Sequence, residues 1–317
     1  MVESRKLAIV GVGLIGRAWA MVFARAGWQV ALHDPVPAAL AAAPGLIATG
    51  LAELARHGLC EDATAALARV RVATSLADAL AGVAFVQENG PEDALTKRAI
   101  FAELDRLAPP DALLASSTSA IPCSSFTETL AGRARCLVAH PVNPPHLVPV
   151  VELSGAPWTT PETLAAARAI FDSVGQAPVT VLREIEGFIL NRLQGALLAE
   201  AFRLVQEGYV SPQDLDTTVA EGLGLRWSFL GPFATIELNA PGGIADYCAR
   251  YGGFFGRVAA NPPSPAVFGA EGVAKILDAW GAAPTREQVA KMSARRDERL
   301  AALAAHKRAK DSEGESS

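Results

Sequence analysis

The sequence is poor in cysteine, in clustered basic residues and in uninterrupted apolar runs, and each shortage excludes a class of protein. Its four cysteines, Cys60, Cys123, Cys136 and Cys248, are too far apart for a CxxC metal or redox motif and do not have the spacing of a disulfide framework. We therefore expect four thiols in a reducing compartment and no metal site.

Positive charge is not concentrated anywhere along the chain. The formal net charge is −5, and no basic stretch stands out beyond Arg295-Arg296, which Asp297 and Glu298 follow directly. Proteins that bind nucleic acids or anionic membranes carry basic patches, so neither partner is expected here.

Apolar residues are plentiful but interrupted. The Ala-rich stretch from Ala38 to Ala55 contains Pro44, two glycines and Glu53, so that it is not expected to span a membrane. Half of the residues are hydrophobic and 19% are charged, which favours a folded chain with a sizeable core. We expect a soluble, cytoplasmic protein.

The first part of the chain has the pattern of an α/β domain. Short β-branched runs alternate with longer stretches rich in alanine and leucine, and several runs are apolar throughout, as in strands covered on both faces. This alternation predicts a Rossmann-type doubly wound sheet over residues 1–185. The predicted strands are Lys6–Val10, Gln29–Leu32, Arg69–Ala73, Ala84–Gln87, Ala112–Ala115, Arg135–Ala139 and Val179–Leu182.

The pattern of strands stops after about residue 184, and an all-α domain is predicted over residues 186–306. One long helix is predicted from Gly187 to Glu207, and another starts at the N-cap Ser211 with Pro212 in its first position. Further helices are predicted over Thr235–Ala249, Ala266–Trp280 and Arg286–His306. The charged, serine-rich residues 307–317 are predicted to be a disordered tail.

A glycine motif, Gly11-Val12-Gly13-Leu14-Ile15-Gly16, lies between the first predicted strand and a predicted helix from Arg17 to Ala26. In a dinucleotide site the first glycine permits a tight turn, the second lets the backbone approach a pyrophosphate, and the third lets helix and strand pack closely. The helix N-terminus then supplies partial positive charge for the pyrophosphate. The motif and its setting predict a dinucleotide-binding turn that includes Leu14 and Ile15.

An acidic residue, Asp34, follows the second predicted strand, 18 residues after Gly16. A carboxylate at this place accepts hydrogen bonds from the adenosine ribose and repels a 2′-phosphate. No arginine follows in Pro35-Val36-Pro37, so NAD rather than NADP is the predicted cofactor. The alternative is a purely structural role, in which the motif is a glycine-rich turn of an unrelated α/β protein and Asp34 caps the next helix.

A histidine, His140, stands just past the carboxyl end of another predicted strand, in the segment His140-Pro141-Val142-Asn143-Pro144-Pro145. Open α/β sheets bind ligands at that edge, and an imidazole titrates near neutral pH, which suits removal of a proton from an alcohol. Glu152 can return to bind the far ring nitrogen. Taken alone, a single histidine is as often a satisfied core or surface residue.

Together these segments resemble the 3-hydroxyacyl-CoA dehydrogenase superfamily, and most closely its branch of lambda-crystallin and L-gulonate 3-dehydrogenase. The resemblance covers roughly residues 5–255. The segments that carry it are Gly11 to Gly16, Ser117-Thr118-Ser119, His140 to Pro145 with Glu152, Gly187-Phe188-Ile189-Leu190-Asn191-Arg192, Glu221 to Trp227 and Leu230-Gly231-Pro232.

The resemblance implies roles for individual residues. His140 matches the general base and Glu152 the carboxylate that orients and charges it, while Ser119 and Asn191 match the residues that hydrogen-bond the substrate oxygen. Glu92 and Lys97 match a pair close to the cofactor; a solvated helix pair is the alternative. Asp34 matches the ribose-binding acid, NAD is the implied cofactor, and a homodimer is implied.

One departure bears on the substrate. The acyl-CoA enzymes carry a Phe-Phe-Asn-Pro type of sequence after the histidine, whereas this chain has Pro141-Val142-Asn143-Pro144. Arg226, in a glycine-rich segment predicted to be a loop, suits a small free carboxylate because a guanidinium binds it through two hydrogen bonds; a surface salt bridge is the alternative. The predicted substrate is therefore a small 3-hydroxy acid resembling L-gulonate, carnitine or 3-hydroxybutyrate, oxidised to the 3-keto acid.

Three alternatives remain open. A 3-hydroxyacyl-CoA dehydrogenase would need a basic groove for the CoA phosphates, and the sequence shows none. Another type of β-hydroxyacid dehydrogenase uses a lysine base four residues before an asparagine, and here Gly187 stands at that position. A non-catalytic, crystallin-like NAD-binding protein is the alternative from a different class.

Overall fold

The computed structural model describes residues 5–314, and their contacts divide into two compact units. The first contains the residues up to Asn191 together with those from Arg286 onward, and the second is Arg192–Thr285. The sequence places the domain boundary at residues 185–186 and the C-terminal helix in the helical domain, whereas the contacts group that helix with the sheet.

The first unit is built on one eight-stranded sheet of order β3-β2-β1-β4-β5-β6-β7-β8. Strands β1 to β6 are parallel, and β7 and β8 run together in the opposite direction, because β7 pairs antiparallel with β6. The strands are β1 Lys6–Val10, β2 Gln29–His33, β3 Val70–Val72, β4 Phe85–Glu88, β5 Leu113–Ser116, β6 Cys136–Pro141, β7 Val150–Gly155 and β8 Ala177–Val181.

The predicted doubly wound α/β fold is confirmed, and all seven predicted strands are present with ends within two residues of the prediction. Strand β7 was missed. The helices of this unit are α1 Leu14–Arg25, α2 Pro37–Arg56, α3 Ala63–Leu67, α4 Leu76–Leu80, α5 Ala94–Leu107, α6 Ser124–Thr127 and α7 Pro161–Ser173, with a 3-10 turn at Arg133–Arg135 and, at the C-terminus, α14 Arg286–Gly314.

Two apolar clusters cover the sheet. One is centred on contacting aromatic rings, among them Phe23, Phe85 and Phe171, with the Phe85 and Phe171 centroids 5.6 Å apart. The other includes Phe101 and Phe126, whose ring centroids are 4.7 Å apart. Each aromatic pair adds to the burial energy of its cluster, so the sheet is a rigid base for the loops at its edges.

Helix α2 is long and apolar enough, by length and composition alone, to cross a membrane. Its buried residues Ala43, Ile47, Leu51 and Leu54 repeat at intervals of three or four and belong to the first apolar cluster. The same length and composition therefore suit a helix that packs one face on a protein core.

The second unit is helical, as predicted. Its elements are α8 Leu190–Gln206, which begins two residues before the unit does, α9 Pro212–Thr217, a π-helical segment Thr218–Gly224, α10 Leu225–Trp227, α11 Pro232–Leu238, α12 Gly243–Ala259, a 3-10 turn Pro265–Phe268 and α13 Ala270–Trp280. The Ser211 hydroxyl accepts a hydrogen bond from the Asp214 N–H and caps α9 where the sequence predicts.

Three helix predictions are corrected. Helix α8 begins at Leu190 rather than Gly187, because Gly187 and Phe188 have left-handed backbones with φ of 74° and 48°. The helix predicted over Thr235–Ala249 is two helices, since α11 ends before the Pro241-Gly242-Gly243 segment. The segment around Arg226, predicted to be a loop, is helical.

The tail predicted to be disordered is helical over the residues that the structure describes. Helix α14 continues through residue 307 to Gly314, and residues 315–317 lie outside the described part. Ala304 and Ala305, just before the charged segment, pack against the first apolar cluster, so tertiary contacts hold the helix up to that point.

Candidate active site

Several predicted site residues of the first unit lie at or just past the carboxyl ends of its parallel strands. The glycine motif follows β1, Asp34 follows β2, Ser119 lies three residues beyond β5, and His140 lies at the end of β6. Because parallel strands end at one edge of the sheet, groups that are distant in sequence meet there.

The three motif glycines differ in what surrounds them. Gly11 has a φ of +89°, and a Cβ there would lie 2.7 Å from the carbonyl oxygen of Asn89. A Cβ on Gly16 would lie only 1.9 Å from the carbonyl oxygen of Gly11, whereas a Cβ on Gly13 would meet no atom within 4 Å. Gly11 and Gly16 are therefore required by the fold, while Gly13 leaves open space for a ligand.

Helix α1 starts at this open position. Gly13 is its N-cap without a side-chain hydrogen bond, and its first turn, which includes Leu14 and Ile15, contains no acidic residue. The first N–H groups of a helix have no partner within the helix and carry partial positive charge. The open cradle at Gly13 and these N–H groups fit a pyrophosphate.

Asp34 is held beside this turn by two backbone groups. Its Oδ2 accepts a hydrogen bond from the Val12 N–H at 2.8 Å, and its Oδ1 accepts one from the Val36 N–H at 2.8 Å. Val36 is the N-cap residue of α2, so the bond from its N–H is the part of the geometry that agrees with the alternative in which Asp34 caps the next helix. The same bonds fix the carboxylate next to the glycine turn, where a ribose would lie in a Rossmann site.

The clearest constellation of the site is a buried histidine–carboxylate pair. Residues His140 of β6 and Glu152 of β7 are directly opposite in the antiparallel register. Opposite residues on adjacent strands point to the same face, and here His140 Nδ1 lies 2.8 Å from Glu152 Oε2. The two side chains are only 5% and 2% exposed.

The second oxygen of Glu152 is also occupied. Oε1 accepts hydrogen bonds from the N–H groups of Ile189, at 2.8 Å, and Leu190, at 2.9 Å, where α8 begins. Burial opposes ionisation of Glu152, but the hydrogen bonds from His140, Leu190 and Ile189 outweigh it, so the pKa of Glu152 lies below its ordinary value of 4.5. The carboxylate is therefore charged at neutral pH.

This lowered pKa predicts an acid-sensitive contribution to stability. The stabilisation by ionised Glu152 is complete above pH 4.5 and is lost as the pH falls through the lower pKa of the folded state. The difference in free energy of unfolding between the wild type and Glu152→Gln should therefore narrow below about pH 4.5. Urea unfolding from pH 7 to pH 3 measures it, with the exposed loop variant Glu61→Gln as the charge-matched control. A gap that stays constant over this range would contradict the assignment.

Ser119 and Asn191 lie together. The Asn191 side-chain amide donates a hydrogen bond to the backbone carbonyl of Ser119 at 2.7 Å, and Ser119 itself is exposed. Glu92 shapes the same turn, because its Oε1 accepts hydrogen bonds from the Thr118 hydroxyl and from the N–H groups of Ser119 and Ala120. The Ser119 hydroxyl has no hydrogen-bond partner in the described part of the chain.

The Lys97 side chain is buried, and its main partner is a residue that the sequence did not suggest. Its Nζ lies 3.1 and 3.0 Å from the two oxygens of Glu88, but 4.0 Å from Glu92 Oε2. Glu88 also accepts hydrogen bonds from the Ser116 hydroxyl and the Gly90 N–H. The alternative of a solvated Glu92–Lys97 pair is therefore wrong, since Lys97 is 1% exposed.

Arg226 lies in the second unit, in the short helix α10. It is exposed, and within the described ranges its guanidinium has no ion pair. The alternative of a surface salt bridge is not present among these residues. Its predicted role toward a substrate carboxylate stays a prediction.

Comparisons with known proteins identify the family to which the chain is similar. The NAD-binding domain model of 3-hydroxyacyl-CoA dehydrogenase matches residues 6–185, and the C-terminal domain model of the same enzyme matches residues 187–267. Lambda-crystallin of Oryctolagus cuniculus is 42% identical over 279 residues, which are 87% of this chain and 82% of that protein.

Two further relatives are enzymes by name. L-carnitine dehydrogenase of Streptomyces coelicolor is 38% identical over 249 residues, covering 78% of each chain. The crystal structure of an NAD+-dependent 5-formyl-3-hydroxy-2-methylpyridine 4-carboxylic acid 5-dehydrogenase superposes with a TM-score of 0.82 at 30% identity, covering 95% of this chain and 97% of the other.

Proposed function

The chain belongs to the 3-hydroxyacyl-CoA dehydrogenase family, and from that premise we propose that it oxidises the 3-hydroxyl group of a small free hydroxy acid. The family membership makes it an NAD-dependent oxidoreductase. The observation that carries the proposal is the buried His140–Glu152 pair at the sheet edge. NAD, when bound, accepts the hydride that leaves C3 of the substrate.

The residues of the chain supply the proton chemistry. His140 Nδ1 is bonded to Glu152, and Nε2 has no hydrogen-bond partner among the described residues, so Nε2 is the atom that takes the hydroxyl proton. The Glu152 carboxylate orients the ring and stabilises the imidazolium that forms. The hydroxyl of Ser119 and the amide of Asn191 hydrogen-bond the reacting oxygen.

Two considerations support a free acid rather than a CoA thioester. L-carnitine dehydrogenase and the pyridine carboxylic acid dehydrogenase are named for free acids. This chain also lacks the Phe-Phe-Asn-Pro type of sequence after His140. Arg226, exposed and without an ion pair in the described part, is the group that we propose for the carboxylate.

A substrate screen tests the proposal. L-gulonate, L-carnitine and 3-hydroxybutyrate are compared with 3-hydroxybutyryl-CoA at saturating NAD, with absorbance of the reduced cofactor as the signal. Higher kcat/KM for the thioester would replace the free-acid proposal by a 3-hydroxyacyl-CoA dehydrogenase. NAD binding without turnover of any substrate would favour a crystallin-like, non-catalytic role.

Asp34 should set the preference between cofactors. Its carboxylate is fixed beside the glycine turn, so that a 2′-phosphate at the ribose would be repelled. We expect kcat/KM with NAD to exceed that with NADP at least about tenfold, or about 1.4 kcal/mol, and Asp34→Ala to narrow this ratio. The surface variant Asp172→Ala removes the same charge from α7 and should leave the ratio unchanged. Equal efficiency of the wild type with both cofactors would contradict this role.

We further propose that the chain is a cytoplasmic homodimer that associates through the second unit. Large apolar side chains of that unit are exposed, including Tyr209, Phe233 and Leu238, each at 73%. Exposed apolar side chains of this size are what a protein interface would cover. The proposed interface therefore includes helix α11, which carries Phe233 and Leu238, and the loop between α8 and α9, which carries Tyr209.

A further inference from the structure

The segment Gly187-Phe188 joins the sheet to α8 through an unusual backbone. Phe188 is the one residue other than glycine with a positive φ among the described residues, at 48°, and Gly187 before it has a φ of 74°. A bulky side chain rarely adopts this conformation, and it persists only where surrounding contacts determine it. The surrounding contacts therefore have to hold residue 188 in place.

Those contacts come from the Phe188 ring and from the turn. The ring is fully buried and belongs to the second apolar cluster, on the sheet face opposite Phe85 and Phe171. The Phe188 N–H donates to the Ile185 carbonyl at 3.1 Å, and the Gly187 N–H donates to the Ala120 carbonyl at 3.3 Å. The turn is thus held by the buried Phe188 ring on one side and, on the other, by a hydrogen bond to Ala120, the residue after Ser119.

This turn supplies hydrogen bonds to the histidine–carboxylate pair. The two residues after Phe188 direct their N–H groups at Glu152 Oε1, while Glu152 Oε2 binds His140 Nδ1. The Phe188 ring also lies against the imidazole, with ring centroids 5.4 Å apart and an interplanar angle of 38°. One side chain therefore contacts the histidine directly and holds the turn that fixes its partner.

We propose that Phe188 is a positioning residue of the dehydrogenase: its buried ring holds the His140 imidazole and keeps the turn that aims two N–H groups at Glu152. This inference rests on the proposed function, in which His140 is the base. A small misplacement of a catalytic group costs rate without a comparable loss of binding. Phe188→Leu should therefore lower kcat about tenfold, with KM for the hydroxy acid and Kd for NAD changed less than about twofold.

The matched control is Phe126→Leu. Phe126 lies in the same apolar cluster and is equally buried, at 1% exposure, but its ring partner is Phe101 rather than His140. This variant should lose comparable stability and keep kcat. Phe188→Met, which retains an apolar side chain of similar length, replaces Phe188→Leu if the latter does not fold.

A double-mutant cycle separates positioning from packing. If Phe188 acts through the His140–Glu152 pair, the two changes should not be independent. The fold-loss of kcat in the double variant Phe188→Leu with Glu152→Gln should then be clearly smaller than the product of the two single fold-losses. In the control cycle of Phe126→Leu with Glu152→Gln, the fold-loss of kcat should equal the product of the two single fold-losses. If the cycle with Phe188→Leu also gave the product of its single fold-losses, the proposal would be overturned.

A readout without turnover distinguishes this inference from the proposed function. In the NAD-bound wild type, the His140 Nδ1 proton shared with Glu152 should give a resolved downfield nuclear magnetic resonance signal. Phe188→Leu should abolish it and Phe126→Leu should retain it. A signal unchanged in Phe188→Leu would overturn the role of Phe188, whereas a wild type that oxidises none of the substrates would contradict only the proposed function.

Discussion

Alanine in place of His140 is expected to lower kcat for oxidation by about 10²–10⁴-fold while leaving the Kd of NAD within about twofold. His140 lies at the end of β6 with Nδ1 bonded to Glu152, and it is assigned to the substrate proton rather than to the dinucleotide. Without it, no imidazole remains at this place to take the proton as C3 is oxidised. Steady-state kinetics with the best hydroxy acid, and calorimetric titration with NAD, measure the two quantities separately.

His146→Ala provides the control, because His146 lies six residues further along the same segment. Burial, followed by the nearby Arg25 guanidinium, lowers the pKa of His146 to about 4, so its imidazole stays neutral in the working range. This variant should keep kcat within about threefold. If His140→Ala retained most of the wild-type rate, or if both variants lost it equally, His140 would not be the base.

The second large effect is expected at the glycine motif, where alanine should act differently at two positions. At Gly16 a Cβ would lie 1.9 Å from the Gly11 carbonyl oxygen, which belongs to the backbone and cannot move aside without shifting β1 from α1. We expect Gly16→Ala to destabilise the chain by at least about 3 kcal/mol and to abolish NAD binding.

At Gly13 the added Cβ meets no atom within 4 Å, so the fold should tolerate it. The same Cβ would occupy the space that a pyrophosphate needs, so Gly13→Ala should weaken NAD binding at least about tenfold while the melting temperature stays within a few degrees. Gly45→Ala, at an open position inside α2, should leave NAD binding unchanged and stabilise the helix slightly. Thermal melting and calorimetric titration of the three variants provide the comparison. A Gly13→Ala protein that binds NAD normally would contradict the assignment of the pyrophosphate to the open space at Gly13.

The sequence was sufficient wherever the determining contacts are local. Strand β1 and the turn at Gly11 were predicted, because an apolar run followed by spaced glycines has few other solutions. Thr160 caps α7 with Pro161 at its first position, a start that the local sequence Thr160-Pro161-Glu162 is typical of, since a cap depends only on residues within one turn. The side-chain oxygen of Thr160 accepts its hydrogen bond from the Thr163 N–H, three residues away.

Local signals failed where a distant segment decides the conformation. Strand β7 was missed because Val150–Gly155 follows a proline-rich segment without a hairpin signal, and its pairing with β6 is set by the sheet as a whole. Helix α8 was extended too far because a helical pattern does not reveal that Phe188 is held in a left-handed conformation by burial of its ring. The sequence does not reveal Glu88 as the partner of Lys97, because no local pattern shows which carboxylate a buried ammonium group will meet.

The sequence by itself determined the family resemblance, the dinucleotide turn and the residues assigned to the proton chemistry, because motif residues are readable in order along the chain. Only the tertiary structure decided which atoms meet: the antiparallel register of β6 and β7 that sets His140 opposite Glu152, and the turn at Phe188 that occupies the second oxygen of Glu152. The physical reason is that strand register and the burial of Phe188 depend on packing between segments far apart in the chain, and no local pattern encodes them.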